Sequence, residues 1–401
     1  MEKASRKNIF ILSDFICKSE NTTGYYWGRI TQSLAIKFGK ISVICPRQGR
    51  CSAEDNGSID YFYVDHGNFS GSRIFARAIG QLLLSIKFAN SLMRLVKKHD
   101  LVICGTNPTL FILLIPFLIK IKKFTWILVV YDLFPENLVP AKILANKGLI
   151  FFLLKKYCNW VYKFAEKIIV IGRDMQSLVD KKTYPNVRTE LITNWANPHE
   201  IFVVDKKNAL YINELGWQDK IVFQFFGNMG RVQGIDNILS AIAHVRDPRA
   251  AFLFIGDGAM VPYLKTFIAN NPKISIAYAG AISIDRRNYA LAACDVAIVT
   301  LASGMCGLGV PSKSYFSLAA DKPLLVIADF ESEICKVVTE NKVGWTCKPS
   351  SPLELAAVIE HICSTNLSIY KGVPRRVLTE QYSEEIILDK YNKVIAGLLN
   401  A

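Results

Sequence analysis

The sequence predicts an α/β protein of two doubly wound domains, each a parallel sheet with helices on both faces. Three observations carry this expectation. Short, continuously apolar, β-rich runs alternate with helix-period segments from end to end, as buried parallel strands and their crossover helices require. The alternation restarts after a polar passage at 194–208. The 401-residue length also exceeds one small core and fits two domains of roughly 150–200 residues. In the first half the strands read NIFILS (8–13), ISVICP (41–46), DYFYV (60–64), LVICGT (101–106), TWILVVY (125–131) and KIIVIG (167–172), with amphipathic stretches at 26–38, 74–98 and 149–164. In the second half they read KIVFQFFG (220–227), AAFLFIGDG (250–258), KISIAYAG (273–280), CDVAIVTL (294–301), KPLLVIAD (322–329) and GWTCKP (344–349). Helices are expected between them at 235–245 and 259–270, and a terminal one at 383–399. The join falls near residue 200. A crevice between such domains is a natural small-molecule site, with ligands at the carboxyl ends of the strands.

Composition bounds the function. A hydrophobic fraction of 51% with 20% charged residues describes a well-buried globular chain. The net charge of +14 favours acidic partners: nucleic acid, an anionic membrane surface or phosphorylated small molecules. The basic residues are spread along the chain and form no recognised nucleic-acid module, so no nucleic acid is expected. Ten cysteines without a C-x-x-C pair argue against a zinc site and a disulfide framework and suit a reducing cytosol. The apolar part of MEKASRKNIFILSDF is too short for a signal-peptide core and reads as a first strand. The run 110–119, followed by Lys120, Lys122 and Lys123, falls short of the about 20 residues that a spanning helix needs. It reads as a buried helix with lysines at its wet end, or as a segment docking on an anionic bilayer.

The most informative stretch is VPSKSYFSLAADKPLLVI (310–327). A helix starting after Pro311-Ser312-Lys313 would aim free N–H groups, a hydroxyl and an ammonium at one spot, a means of holding a phosphate or diphosphate. The same turn also reads as an ordinary helix start capped by Ser312. FFGNMGRVQGID (225–236) places Gly227, Gly230 and Gly234 around Arg231, where glycines permit close approach to an anion and arginine can clamp phosphate oxygens. Tight turns need glycine anyway. FIGDGA sets Asp257 between Gly256 and Gly258, as a crevice rim or a helix N-cap. SENTTGYYWG (19–28) is the expected ligand loop after the first strand, with Gly24 as its close-approach point. In VVYDLFPENL, Asp132 and Glu136 can bind sugar hydroxyls or accept a proton, or only start a helix.

Taken together, DLFPEN (132–137), VIGRDM (170–175), ITNWANP (192–198), FFGNMGRVQGID, FIGDG, CDVAIV (294–299) and VPSKSYFSLAADKP (310–323) resemble, in order and over nearly the whole chain, the retaining glycosyltransferases of family 4. These have the GT-B architecture, two Rossmann-like domains facing across a crevice. The similar branch adds sugars to polyprenyl-diphosphate-linked intermediates of bacterial O-antigen and capsule synthesis. The resemblance implies an acceptor-binding domain at 1–200. It implies a nucleotide-sugar-binding domain at 201–401, whose terminal helix can pack back on the first. Gly24, Gly230, Arg231, Gly256, Asp257, Ser312 and Lys313 would bind the donor, and Asp132, Glu136, Arg231 and Lys313 would carry the catalysis.

The family reaction is a front-side substitution with retention, without a metal or a cofactor beyond the nucleotide-diphosphate sugar. Expected partners are that donor, a lipid-linked or glycan acceptor, and an anionic membrane at the cytosolic face of the inner membrane. The chain departs from the pattern in four places. Phe316 stands where a glutamate commonly holds the donor ribose, Gln233 where many members have lysine, Tyr131 where many have histidine, and Asp321 where glycine is usual. Aspartate tolerates the left-handed conformation such a position needs. Two other readings are a nucleotide-sugar epimerase, for which Asp132 and Glu136 are the candidate proton carriers, and a non-catalytic glycan-assembly subunit.

Overall fold

The computed structural model describes residues 7–17, 21–47, 57–65 and 74–400. The first sheet contains β1 (Ile9–Leu12), β2 (Ile41–Pro46), β3 (Ile59–Val64), β4 (Leu101–Gly105), β5 (Thr125–Val130), β6 (Lys167–Val170) and β7 (Thr189–Leu191). Its order is β3-β2-β1-β4-β5-β6-β7, and every pairing is parallel. Its helices are α1 (Thr22–Phe38), α2 (Ile74–Leu95), α3 (Ile115–Lys122), α4 (Leu149–Tyr162) and α5 (Arg173–Thr183). Along β1 the side chains alternate between two buried faces. Ile9 and Ile11 join the α1 side, whereas Phe10 and Leu12 join the side of α2 and α3. Burial on both faces is why these strands read as unbroken apolar runs.

The second sheet contains β8 (Ile221–Phe226), β9 (Ala250–Ile255), β10 (Ile276–Tyr278), β11 (Val296–Thr300), β12 (Leu324–Ile327) and β13 (Gly344–Cys347), in the order β10-β9-β8-β11-β12-β13 and again all parallel. Its helices are α6 (Ile235–Ile242), α7 (Val261–Asn270), α8 (Arg287–Ala292), α9 (Lys313–Ala319), α10 (Glu333–Asn341) and α11 (Pro352–Ser364). Then come α12 (Val373–Gln381) and α13 (Glu384–Asn400).

After the second sheet the chain returns to the first lobe. Ser383 bridges to Ala196, and α13 lies along α1, where Asn392 Nδ2 donates to Ser33 Oγ at 3.0 Å and Lys7 Nζ to the Leu398 carbonyl at 3.0 Å. Tyr25, Arg29, Trp195 and Asn197 all donate to the buried Glu384 carboxylate. The apolar core on the α2–α3 side is continuous with that of the second lobe through Leu308, Tyr315 and Leu318.

Several expectations shift. KISIAYAG yields only the three residues of β10, and FIGDG leaves its strand at Ile255 because Gly256 and Gly258 adopt φ of +130° and +149°. The short strand β7 had no apolar signal. Asp321 stands at φ +61°, as its place in a glycine-type turn requires, and its carboxylate accepts from the N–H groups of Gly372 and Arg375 at the start of α12. Among the described residues Cys17 is disulfide-bonded, a bond that the scattered cysteines did not lead the sequence to predict. No helix of the described residues is long and apolar enough to cross a membrane.

Candidate active site

Both sheets reverse strand order at one point, between β1 and β4 and between β8 and β11. There the following loops diverge and leave a crevice. A cavity of about 650 Å³ opens at this place, a size suited to a small ligand. The first lobe contributes Asn21, Thr22 and Tyr25 from the segment after β1. The second lobe contributes Gly227, Asn228 and Gln233 after β8, and Pro311, Ser312, Lys313 and Phe316 after β11.

The loop after β11 is fixed by the first lobe. Leu133 N–H donates to the Leu308 carbonyl at 2.9 Å, and Asp132 bridges to Gly309. The Asp174 carboxylate, from the VIGRDM segment, accepts from Gly307 N at 2.9 Å and Glu333 N at 3.1 Å. Arg173 in turn holds Glu333 through Nε at 2.9 Å. Gly307 permits this approach: at φ +74°, a Cβ there would stand 2.6 Å from Leu178. These contacts set the position from which Ser312 and Lys313 face the crevice.

Lys313 is the central cation. Its Nζ donates to Gln233 Oε1 at 2.8 Å and lies 3.7 Å from the centre of the Phe225 ring. Among the described residues no carboxylate pairs with it. Desolvation therefore lowers its pKa from 10.5 to about 7. An unpaired, desolvated ammonium at a crevice wall is prepared for an anion.

Arg287, at the start of α8, is a second cation that the sequence reading missed. It lines the crevice with its guanidinium carbon 5.2 Å from the centre of the Phe316 ring, and Glu200 stands 3.9 Å away. Its buried Nε has no hydrogen-bond partner among the described residues, and desolvation lowers its pKa. Phe316 packs edge-on against Tyr25 across the gap, 5.9 Å between centroids. The position thus bridges the lobes with aromatic and cation–π contacts. Asp285 is the carboxylate among the lining residues.

The other expected site residues are placed as follows. Ser312 lines the crevice but caps nothing through its side chain; its hydroxyl pairs with that of Tyr26 from the first lobe. The helix it precedes is short, from Lys313 to Ala319. Gly24 is buried in the first turn of α1, where a Cβ would stand 2.3 Å from the Cys17 carbonyl oxygen. Its close approach is to the chain itself, and its neighbours Asn21, Thr22 and Tyr25 face the crevice. Residues 19 and 20 of that loop lie outside the described residues. Gly256 abuts the Gly227 carbonyl, 2.0 Å from a built Cβ, so this glycine pair joins two strand ends. Asp257 is exposed and accepts from Gly258 N at 2.7 Å. Gly230 and Arg231 lie on the turn that carries Gln233, yet neither borders the crevice, and Arg231 is exposed. Gln233, not Arg231, meets Lys313.

Asp132 is open to solvent at the end of β5, with enough protein around it that desolvation lifts its carboxyl to about 6. Glu136 turns inward instead. It stands 2.6 Å from the buried Lys182 ammonium and 3.6 Å from Lys155, and so neutralises a charge inside the first lobe.

Two parallel-sheet lobes meeting at their switch points around a cation-lined crevice form the GT-B architecture, and the chain belongs to the glycosyltransferases. Residues 220–365 match the family Glycosyl transferases group 1. Over 393 residues, 98% of each chain, the protein is 41% identical to the probable glycosyltransferase WbjE of Pseudomonas aeruginosa. Among solved structures it is similar to sucrose-phosphate synthase from Thermosynechococcus elongatus, with a TM-score of 0.79 at 14% identity over 98% of this chain and 100% of that one. It is also similar to Anabaena HepE in complex with UDP-glucose, with a TM-score of 0.70 at 14% identity over 97% and 99%.

Proposed function

We propose that this chain is a retaining, metal-independent glycosyltransferase. It would move a sugar from a nucleotide-diphosphate donor to a lipid-linked or glycan acceptor in bacterial surface-polysaccharide assembly, at the cytosolic face of the membrane. The observation that carries the reading is the Lys313 ammonium, without a carboxylate partner among the described residues, in the wall of an interlobe crevice that the Arg287 guanidinium also lines. HepE, of like fold, was solved with UDP-glucose, which makes uridine donors the first to try.

In this reading the donor diphosphate lies against Lys313 and Arg287. The bond from the anomeric carbon to the diphosphate oxygen breaks as the acceptor oxygen bonds the same face. The acceptor proton passes to the departing diphosphate, whose growing charge the two fixed cations stabilise. Asp132, exposed on the acceptor lobe and bridged to Gly309 of the second, orients acceptor hydroxyls. Epimerisation would need two carboxylates beside the anomeric carbon, and Glu136 is committed to Lys182.

The test is a thermal-shift screen against UDP-, GDP- and TDP-linked sugars, since a selective ligand raises the melting temperature. One donor class should stabilise the wild type and leave Lys313→Ala unmoved. Equal stabilisation of both proteins would remove Lys313 from the site, and no response to any donor would overturn the reading.

A further inference from the structure

We propose that the face formed by α2, α3 and α4 on the first lobe docks on an anionic lipid bilayer. The inference deepens the proposed function by naming the surface that would bring a lipid-linked acceptor to the crevice, and it rests on that reading for the acceptor alone. In α4, Leu149, Ile150, Phe152 and Leu153 are 72%, 70%, 61% and 56% exposed, while Phe151 between them is buried. At 3.6 residues per turn the four exposed chains span an arc of about 160°, with Phe151 opposite. Helix α3 lies alongside, its Phe117 ring 6.3 Å from that of Trp160, and adds the exposed Ile121. The middle of α2 adds Leu82, Leu83 and Ile86. An apolar surface of this extent on one side of a lobe marks a binding face.

Charge selects the occupant. Helices α2, α3 and α4 contain no acidic residue, and neither does the segment 142–165. Lys120, Lys123, Lys142, Lys147, Lys156 and Lys163 are all exposed around the apolar arc. A convex apolar helix surface fringed by lysines, with Trp160 and Tyr157 at its edge, is the pattern of an interfacial helix on acidic headgroups. A second copy of the chain would set lysines against lysines, with no carboxylate on the face to pair them. The face belongs to the lobe that the proposed function gives to the acceptor.

The test is co-sedimentation of the full chain with vesicles of phosphatidylcholine alone and of phosphatidylcholine with a third phosphatidylglycerol. The comparison proteins are the triple variant Leu149→Gln/Phe152→Gln/Leu153→Gln and the triple variant Lys120→Gln/Lys123→Gln/Lys156→Gln. All six positions are exposed, so both variants should melt as the wild type does. The wild type should pellet with the acidic vesicles at least tenfold more than with the neutral ones, and less as salt screens the lysines. Each triple variant should lose at least tenfold of that binding. Wild type left in the supernatant with acidic vesicles, or variants that pellet like it, would overturn the proposal. So would a wild-type dimer that the apolar variant converts to monomer, because the face would then join two copies. Nucleotide-sugar binding by the same three preparations separates the two questions: it should be equal in all of them, and its absence would count against the proposed function alone.

Discussion

Replacing Lys313 with methionine keeps most of the length of the unbranched side chain and removes its charge. In the wild type the crevice holds this amine at a pKa of about 7 against 10.5 in the unfolded chain. Between those values the unfolded state binds one more proton at this position than the folded state. Stability from this group therefore rises with pH, is greatest above 10.5, and is lost as pH falls to about 7. The depression is equivalent to about 5 kcal/mol at 1.36 kcal/mol per pH unit. Lys313 is only half-buried and is bonded to Gln233, so crevice water and that amide recover part of it. Lys313→Met should be more stable than the wild type by about 2–4 kcal/mol at neutral pH, and the gap should close towards about pH 10.

Function should move the other way. A diphosphate beside the amine raises its pKa again, so at about pH 8.5 the wild type should take up nearly one proton on binding its donor, and the variant should bind weakly without uptake. Paired melting curves across pH, with calorimetry in buffers of different ionisation enthalpy, measure both effects. Parallel stability curves for the two proteins, or undiminished donor binding by the variant, would refute the reasoning.

Two further predictions concern residues whose expected roles the structure qualifies. Gly256→Ala should destabilise the second lobe by about 2 kcal/mol or more, because a Cβ there would meet the Gly227 carbonyl at a backbone conformation that only glycine adopts easily; denaturant unfolding checks it, and a wild-type midpoint would contradict it. Asp132 has its carboxyl raised to about 6 by desolvation. Its contribution to stability is complete below pH 3.8 and is lost as pH rises through about 6, while its ionised form grows over the same range. If it orients the acceptor, sugar transfer should show an acid limb near 6 that Asp132→Asn removes, with donor affinity unchanged.

Much of the fold was legible because buried parallel strands announce themselves. Runs such as LVICG and AAFLFI are apolar on both faces and can be little else. Strands β7 and β10, of three residues each, carry too little pattern to be read alone. The site was legible at Ser312 and Lys313, where a polar turn interrupts apolar sequence. It was misread wherever glycine or charge had a second use. Gly24 and Gly256 answer to the chain's own carbonyls, and Glu136 to a lysine distant in sequence. Arg287 stayed hidden because nothing local distinguishes it from Arg286; only folding places one beside Phe316 and leaves the other exposed. The segments RDM and Ser383-Glu384 proved to be interlobe clamps, a role set by partners about 130 to 360 residues away in the chain that no local pattern encodes.

The account stands on a donor diphosphate held at the switch point between the lobes. A crystal structure of the complex with a nucleotide-diphosphate sugar tests this most directly. The account predicts phosphate oxygens within hydrogen-bond reach of Lys313 Nζ and the Arg287 guanidinium, with the sugar directed towards the Asn21–Tyr25 side of the gap. A diphosphate bound anywhere else, with Lys313 still bonded only to Gln233, would contradict it.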